Sequence, residues 1–129
     1  MVVVNSKEEL EELISQRIGQ CGPKCDLNDI DVSKVTDMSH LFYSSIFDGD
    51  ISKWDVSHVE DMSNMFSYSN FNGDISSWDV SNVRAMSYMF NNSPFKGDLS
   101  KWNVGSVVDM RDMFEDSPLE FREPSWYRD

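Results

Sequence analysis

Long apolar runs are missing from this chain. Nothing in it approaches the ~20 apolar residues a membrane-crossing helix needs, and the opening MVVVNSKEEL gives only three valines before charge begins. That is too short for the apolar region of a secretion signal. The chain is therefore expected either to stay in the cytoplasm or to take a leader or anchor from outside this segment. Basic residues are also few, 11 Lys and Arg against 23 Asp and Glu, for a net charge of −12. Such a surface repels phosphate, which argues against nucleic acid and anionic membranes and leaves a protein partner with basic groups, bound in a salt-sensitive way. With two His and two Cys a closed zinc site lacks ligands, and no cofactor is expected. Cys21 and Cys25 sit in CGPKC, with one more intervening residue than a thioredoxin-type pair. They read foremost as free thiols at a turn, then as a local disulfide, and last as redox or metal ligands. Leucine is scarce, yet the 8 methionines fall at regular intervals.

That regularity is a repeat. Trp78 to Lys101 reads WDVSNVRAMSYMFNNSPFKGDLSK, Trp54 to Ser77 reads WDVSHVEDMSNMFSYSNFNGDISS, and Trp102 opens WNVGSVVDMRDMFEDSPLEF, all on a 24-residue period. Ile30 to Lys53 fits the same frame. A fixed period of this size marks a solenoid, whose copies cannot bury their own apolar faces alone. Laid over one another, the copies give a column of Trp54, Trp78, Trp102 and Trp126, another of Met62, Met86 and Met110, and another of Phe66, Phe90 and Phe114. Two valine columns, at 32/56/80/104 and 35/59/83/107, run beside them. Stacked turns set equivalent side chains about 5 Å apart, so these columns are expected to be core ladders.

Within one copy, Val59, Met62 and Met65–Phe66 are spaced like an inward helical face, so a short helix is expected there, with Ser33, Ser57 and Ser81 as N-caps and Glu60 completing a capping box. A strand is expected between Ile75 and Val80 and at its equivalents, paired in parallel, and Gly49, Gly73 and Gly97 are expected at positive φ in the bend before it. Ahead of the repeats, Ser6 to Gln20 has a helical apolar stripe of Leu10, Leu13, Ile14 and Ile18, a Ser6 cap with Glu9 three residues on, and Gly19 or Gly22 followed by Pro23 to stop it. Val2 to Val4 offers a short strand. The reading is one structural domain: 1–29 an N-terminal helix and turn, 30–117 four copies of the repeat, and 118–129 (PLEFREPSWYRD) a C-terminal cap over the last rung.

FNGDISSWDVSNVRAMSYMF resembles the repeat of the BspA-like leucine-rich-repeat bacterial surface proteins, and Gly-Asp-Ile-Ser-x-Trp-Asp-Val-Ser-x-Val-x-x-Met recurs almost intact at Gly49 and Gly73. The resemblance runs from about Asp26 to Trp126. It implies an α/β fold, a right-handed leucine-rich-repeat-like solenoid with a parallel sheet of short strands on one face and short helices on the other. It also implies adhesion or protein binding at a bacterial surface.

The polar columns admit chemistry but do not require it. Asp50, Asp74 and Asp98 form one column and Asp31, Asp55 and Asp79 another, which Asn103 continues. Calcium between neighbouring carboxylates is weighed against the simpler reading that each Asp accepts backbone N–H groups at a bend, and the simpler reading is preferred. Lys96-Gly97-Asp98 is read as surface variation, since the other copies carry Asp48 or Asn72 in place of Lys96. Polar residues that recur once per copy, with His40 and His58 in variable columns, do not make the single nucleophile and base of an enzyme. The expectation is a non-catalytic, monomeric scaffold for protein–protein interaction. Its sheet face would read a partner with Ser52, Lys53, Asp55, Ser76, Ser77, Asp79, Ser100, Lys101 and Asn103, and Tyr43, Tyr68 and Tyr88 are secondary candidates. An architectural spacer and a carbohydrate-binding module are the alternatives, the latter if the tryptophans face solvent.

Overall fold

The computed structural model describes residues 1–129. Its regular elements are β1 (Val2–Val3), α1 (Lys7–Cys21) and β2 (Ile30–Asp31), with β1 parallel to β2 through Val2 opposite Ile30 and Val3 opposite Asp31. Ser6 caps α1, its hydroxyl accepting the Glu9 N–H at 3.2 Å, and Gly22 ends it at φ 89° with its N–H on the Ile18 carbonyl. Leu10 and Ile14 are buried in the same apolar cluster as the repeats, with Leu13 and Ile18 packed at its margin.

From Ile30 onward, hydrogen bonds tie residues about one repeat apart. Met38, His40, Phe42 and Tyr43's neighbour Ser44 donate to the carbonyls of Asp61, Ser63, Met65 and Ser67. Met62, Asn64, Phe66 and Tyr68 donate likewise to Ala85, Ser87, Met89 and Asn91, and the pattern repeats from Met86 to Asn92. The N–H groups between them turn back instead: Leu41, Tyr43 and Ser45 donate to Met38, His40 and Phe42. Alternate amides thus bond across to the next coil or back within their own, and the backbone polar groups of this segment find partners without a helix or a strand. Most of these cross-coil bonds point the same way, N–H toward the coil that follows. Isolated parallel bridges join Asp37, Asp61, Ala85 and Asp109 at the head of the segment.

This alters five expectations. The segments expected to be helical are chains of linked i to i+3 turns, in which the inward residues fall at helix-like spacing. Ile75–Val80 is likewise a pair of turns (Trp78 N–H to Ile75 O, Val83 N–H to Val80 O). The expected parallel strand forms only at its equivalent in the first copy, β2 beside β1, and the remaining pairing is the Asp26–Asp50 bridge and those of the Asp37 column. Ser33, Ser57 and Ser81 do not cap helices. Their N–H groups bond the carboxylates of Asp31, Asp55 and Asp79 two residues earlier, at 2.9, 3.0 and 3.0 Å. Gly49, Gly73 and Gly97 are not at positive φ, where Gly22 is the only glycine. Space is what holds these glycines: a Cβ at Gly73 or Gly97 would stand 2.7 Å from the ring of Phe71 or Phe95, and one at Gly49 would collide with the Cys25 carbonyl. Cys21 and Cys25 are joined as a disulfide, Cα to Cα 5.7 Å, where free thiols were the favoured expectation.

The core is the set of columns read from the repeat. Phe42, Phe66, Phe90 and Phe114 stack face to face at 5.6, 5.6 and 5.8 Å with ring planes within 8°. Phe47, Phe71 and Phe95 form a second stack at 6.1 and 6.3 Å. The Trp54, Trp78 and Trp102 side chains are each 4 % exposed, so their indole N–H groups need acceptors. Each finds one in the coil before: Leu27, Ile51 and Ile75 carbonyls at 2.9, 3.1 and 3.0 Å, and Trp126 continues the series to Leu99 at 2.8 Å. Trp126 also stacks on Trp102 at 6.4 Å, and Tyr127 meets Phe114 edge-on at 5.1 Å, while Phe121 stays out in solvent. Equivalent side chains of successive 24-residue repeats thus lie against one another through the core.

Candidate binding surface

The stack carries two polar surfaces, and they differ in how far their side chains are already engaged. The first holds the residues expected to read a partner. Asp50 and Asp74 accept both the N–H and the hydroxyl of Ser52 and Ser76, with hydroxyl distances of 2.7 Å. Asp55 and Asp79 do the same for Ser57 and Ser81, with hydroxyls at 2.6 Å. Asp98 holds the Ser100 N–H at 2.9 Å, and Asn103 holds that of Gly105 at 3.0 Å. These are Asx turns, which fix the bend of each coil. Bonding to the serine hydroxyl and N–H keeps the Asp55, Asp79 and Asp98 carboxyls below the usual carboxylate range. Asp50, nearest the Asn28 amide, falls to about 2. The aspartate columns thus have a structural occupation in each coil, the reading preferred over calcium. Lys53, Ser77 and Lys101 are the open positions here, and Ser76, Ser77 and Lys101 meet at a shallow depression of about 210 Å³ beside Asp98.

A second column works in the same manner at the edge of this surface. The side-chain oxygen of Asp48 accepts the Asn72 N–H at 2.9 Å, and that of Asn72 accepts the Lys96 N–H at 3.0 Å. Lys96 has no acceptor to pass on, so the series ends with it. Near the middle coils, Ser57 gives its proton to Asp55 at 2.6 Å while His58 Nδ1 lies 3.4 Å away. The hydroxyl is aimed at the carboxylate, not at the imidazole that would have to act as its base.

The second surface lies on the linked turns. Every fourth residue there has positive φ: His40, Ser44, Asn64, Tyr68, Tyr88, Asn92, Asp112 and Asp116, between 50° and 60°. Asn and Asp accept that conformation most readily among non-glycine residues. Asn64, Asn92, Asp112 and Asp116 obey this rule, and Tyr68 and Tyr88 break it. Tyr43 and Tyr68 are also exposed, at 45 % and 54 %, with rings in an edge-on contact at 5.9 Å. The three tyrosines line one groove of about 440 Å³ with Asn91, Glu115 and Asp116. The structure thus brings the secondary candidates together, while Ser52, Ser76, Asp55 and Asp79 among the primary ones are already bonded to neighbouring Asx-turn residues. The sequence does carry a signal for this surface: columns of small polar residues and His one period apart (His40, Asn64 and Asp112; Ser44, Asn92 and Asp116), each interrupted by a tyrosine.

A molecule made of near-identical coils stabilised by columns of identical residues is a repeat protein, and the sequence comparison says which kind. The chain belongs to the family described as "Mycoplasma protein of unknown function, DUF285", whose model matches residues 11–125. No curated protein and no solved structure matches the chain. No helix is long and apolar enough to cross a membrane.

Proposed function

We propose that this chain is a non-catalytic repeat scaffold that binds a protein partner across its linked-turn face, at the groove of Tyr43, Tyr68 and Tyr88. One observation carries the reading: two tyrosines occupy left-handed backbone positions that their own columns otherwise give to His40, Ser44 and the Asn and Asp of the other coils, and one of them is half exposed. Strain at a surface site where the side chain makes little core contact points to recognition. Tyrosine is also a side chain that anchors interfaces, offering a broad apolar ring and a hydroxyl with only two torsions to fix. The likeness to the BspA-like leucine-rich-repeat proteins supports the same reading, and extends it to a right-handed solenoid acting in adhesion at a bacterial surface. The carbohydrate alternative loses its first support, because the tryptophans are buried with their N–H groups bonded.

The test is affinity capture with the wild-type chain and with Tyr68→Asn/Tyr88→Asn, each captured protein being purified and its binding measured directly. Asn suits the backbone at both positions, so the variant keeps the fold. A partner bound by the wild type and lost by the double variant supports the proposal. A partner held equally by both, and lost instead when Asp55, Asp79 and Lys101 are changed together, returns the site to the Asx-turn surface.

A further inference from the structure

We propose that the tyrosine groove takes a basic protein segment, laying an arginine or lysine side chain against Tyr68 and Tyr88 with its charge turned toward Glu115 and Asp116; this rests on the reading of the linked-turn face as a protein-binding surface. The columns of the face change character along the stack. His40, Asn64, Tyr88 and Asp112 follow one another in the first, Tyr43, Ser67, Asn91 and Glu115 in the second, and Ser44, Tyr68, Asn92 and Asp116 in the third. Aromatic rings therefore occupy the first three coils, and all three columns end in a carboxylate in the fourth.

Those carboxylates have no cation. The four ion pairs of the molecule lie elsewhere, as Lys7–Asp37, Arg17–Asp29, Lys24–Asp48 and Arg111–Asp109. Neither Glu115 nor Asp116 accepts a hydrogen bond through its side chain, and no basic residue lines the groove. The Glu115 carboxyl is raised above its ordinary value chiefly by the charge of Asp112, as expected where negative charge gathers uncompensated. Asn91 adds a polar contact. It is 9 % exposed and its side-chain oxygen accepts from Asn92 at 2.9 Å, while its amide N–H₂ has no protein acceptor and opens on the groove. That donor suits a backbone carbonyl of an extended segment.

A guanidinium or ammonium group satisfies all of this together. Its face or head lies on an electron-rich ring, and its N–H donors reach a carboxylate. The groove's volume, about 440 Å³, holds one or two such side chains and not a folded element. A neutral sugar would use the rings and amides but would leave the carboxylates without a role, so charge separates the two occupants.

The experiment measures binding of a fluorescent peptide of alternating Gly and Arg, its citrulline counterpart, and a neutral chitin oligosaccharide to the whole chain. The Arg peptide is expected to bind and to weaken by about tenfold or more as salt rises from roughly 50 to 500 mM. Citrulline keeps the shape but not the charge, and should bind at least about tenfold more weakly. Tyr68→Asn/Tyr88→Asn and Glu115→Gln/Asp116→Asn should each cost about tenfold. Glu8→Gln/Glu12→Gln on α1 removes the same charge far from the groove and should cost little. Equal losses from the α1 pair, equal binding of citrulline, or preference for the sugar would each overturn the inference. If no Arg peptide binds while a tyrosine-dependent protein partner is still captured, the inference fails and the proposed function stands; if tyrosine dependence vanishes as well, both fall.

Discussion

Asn64 and Tyr88 hold the same place in successive coils with the same φ of 58°, yet they bring different chemistry to it. Asn tolerates the left-handed region and Tyr does so at a cost of about 1 kcal/mol. Tyr88→Asn is therefore expected to raise the melting temperature by a few degrees, about 3–5 °C for a chain of this size. Tyr68→Asn should leave it nearly unchanged, because strain relief is offset by loss of the ring contact with Tyr43. Differential scanning calorimetry on the two single variants decides the matter, and a drop with Tyr88→Asn would make that ring a structural part. Trp78 is the converse case, a side chain whose polar atom serves the fold. Trp78→Phe takes one of two donors from the Ile51 carbonyl, which keeps the Trp54 N–H, and opens space beside it, so urea denaturation should show a loss of about 1–3 kcal/mol.

The Asx turns carry the acid sensitivity of the molecule. Their carboxylates titrate below the ordinary carboxylate value of about 4, Asp50 at about 2, because hydrogen bonds favour the charged form. A group whose folded-state pKa is depressed contributes stability that is complete above its unfolded pKa and is lost as pH falls toward the folded one. The urea midpoint is thus expected to hold steady down to about pH 5 and to fall between about pH 4 and 2. Asp50→Asn should flatten part of that fall without undoing the turn, since Asn103 holds the Gly105 N–H in the same way. A variant that unfolds at neutral pH would contradict this. The elements also show what could be read beforehand. Columns of Trp, Met and Phe declared the core because burial in one coil must be matched in the next, and α1 declared itself through Ser6 and its apolar stripe. The linked turns could not be told from short helices, because both place inward residues at i, i+3, i+4 and i+7, and hydropathy carries no record of where an N–H points. The glycines at 49, 73 and 97 misled for a similar reason. A missing side chain marks either a backbone conformation or a shortage of room, and only the packing of Phe71 and Phe95 distinguishes them.

At the scale of the whole molecule, the coils are near copies whose bonds reach mainly to their neighbours, so one can be removed. Joining Lys53 directly to Trp78 deletes residues 54–77, sets the Trp78 indole toward the Leu27 carbonyl, and lets Phe90 stack on Phe42 as Phe66 does now. The shortened chain is expected to fold with an unchanged far-ultraviolet spectrum per residue and a lower melting temperature, as for other one-dimensional arrays. Failure to fold would mean that the coils depend on particular partners. The cross-coil bonds have a further consequence. Because the cross-coil bonds of the linked turns, from Met38 to Asn92, run one way, the stack has a donor end and an acceptor end. At the acceptor end the Lys7 ammonium lies against the Ser39 carbonyl at 3.3 Å. At the donor end Glu120 and Asp129 carboxylates meet the N–H groups of Asp116 and Asp112, at 2.9 and 3.4 Å. Two such molecules brought tip to tip could prolong the pattern only as a polar train, head following tail, and never as a mirror-like pair; one lysine and two acidic side chains stand where the couplings would be made.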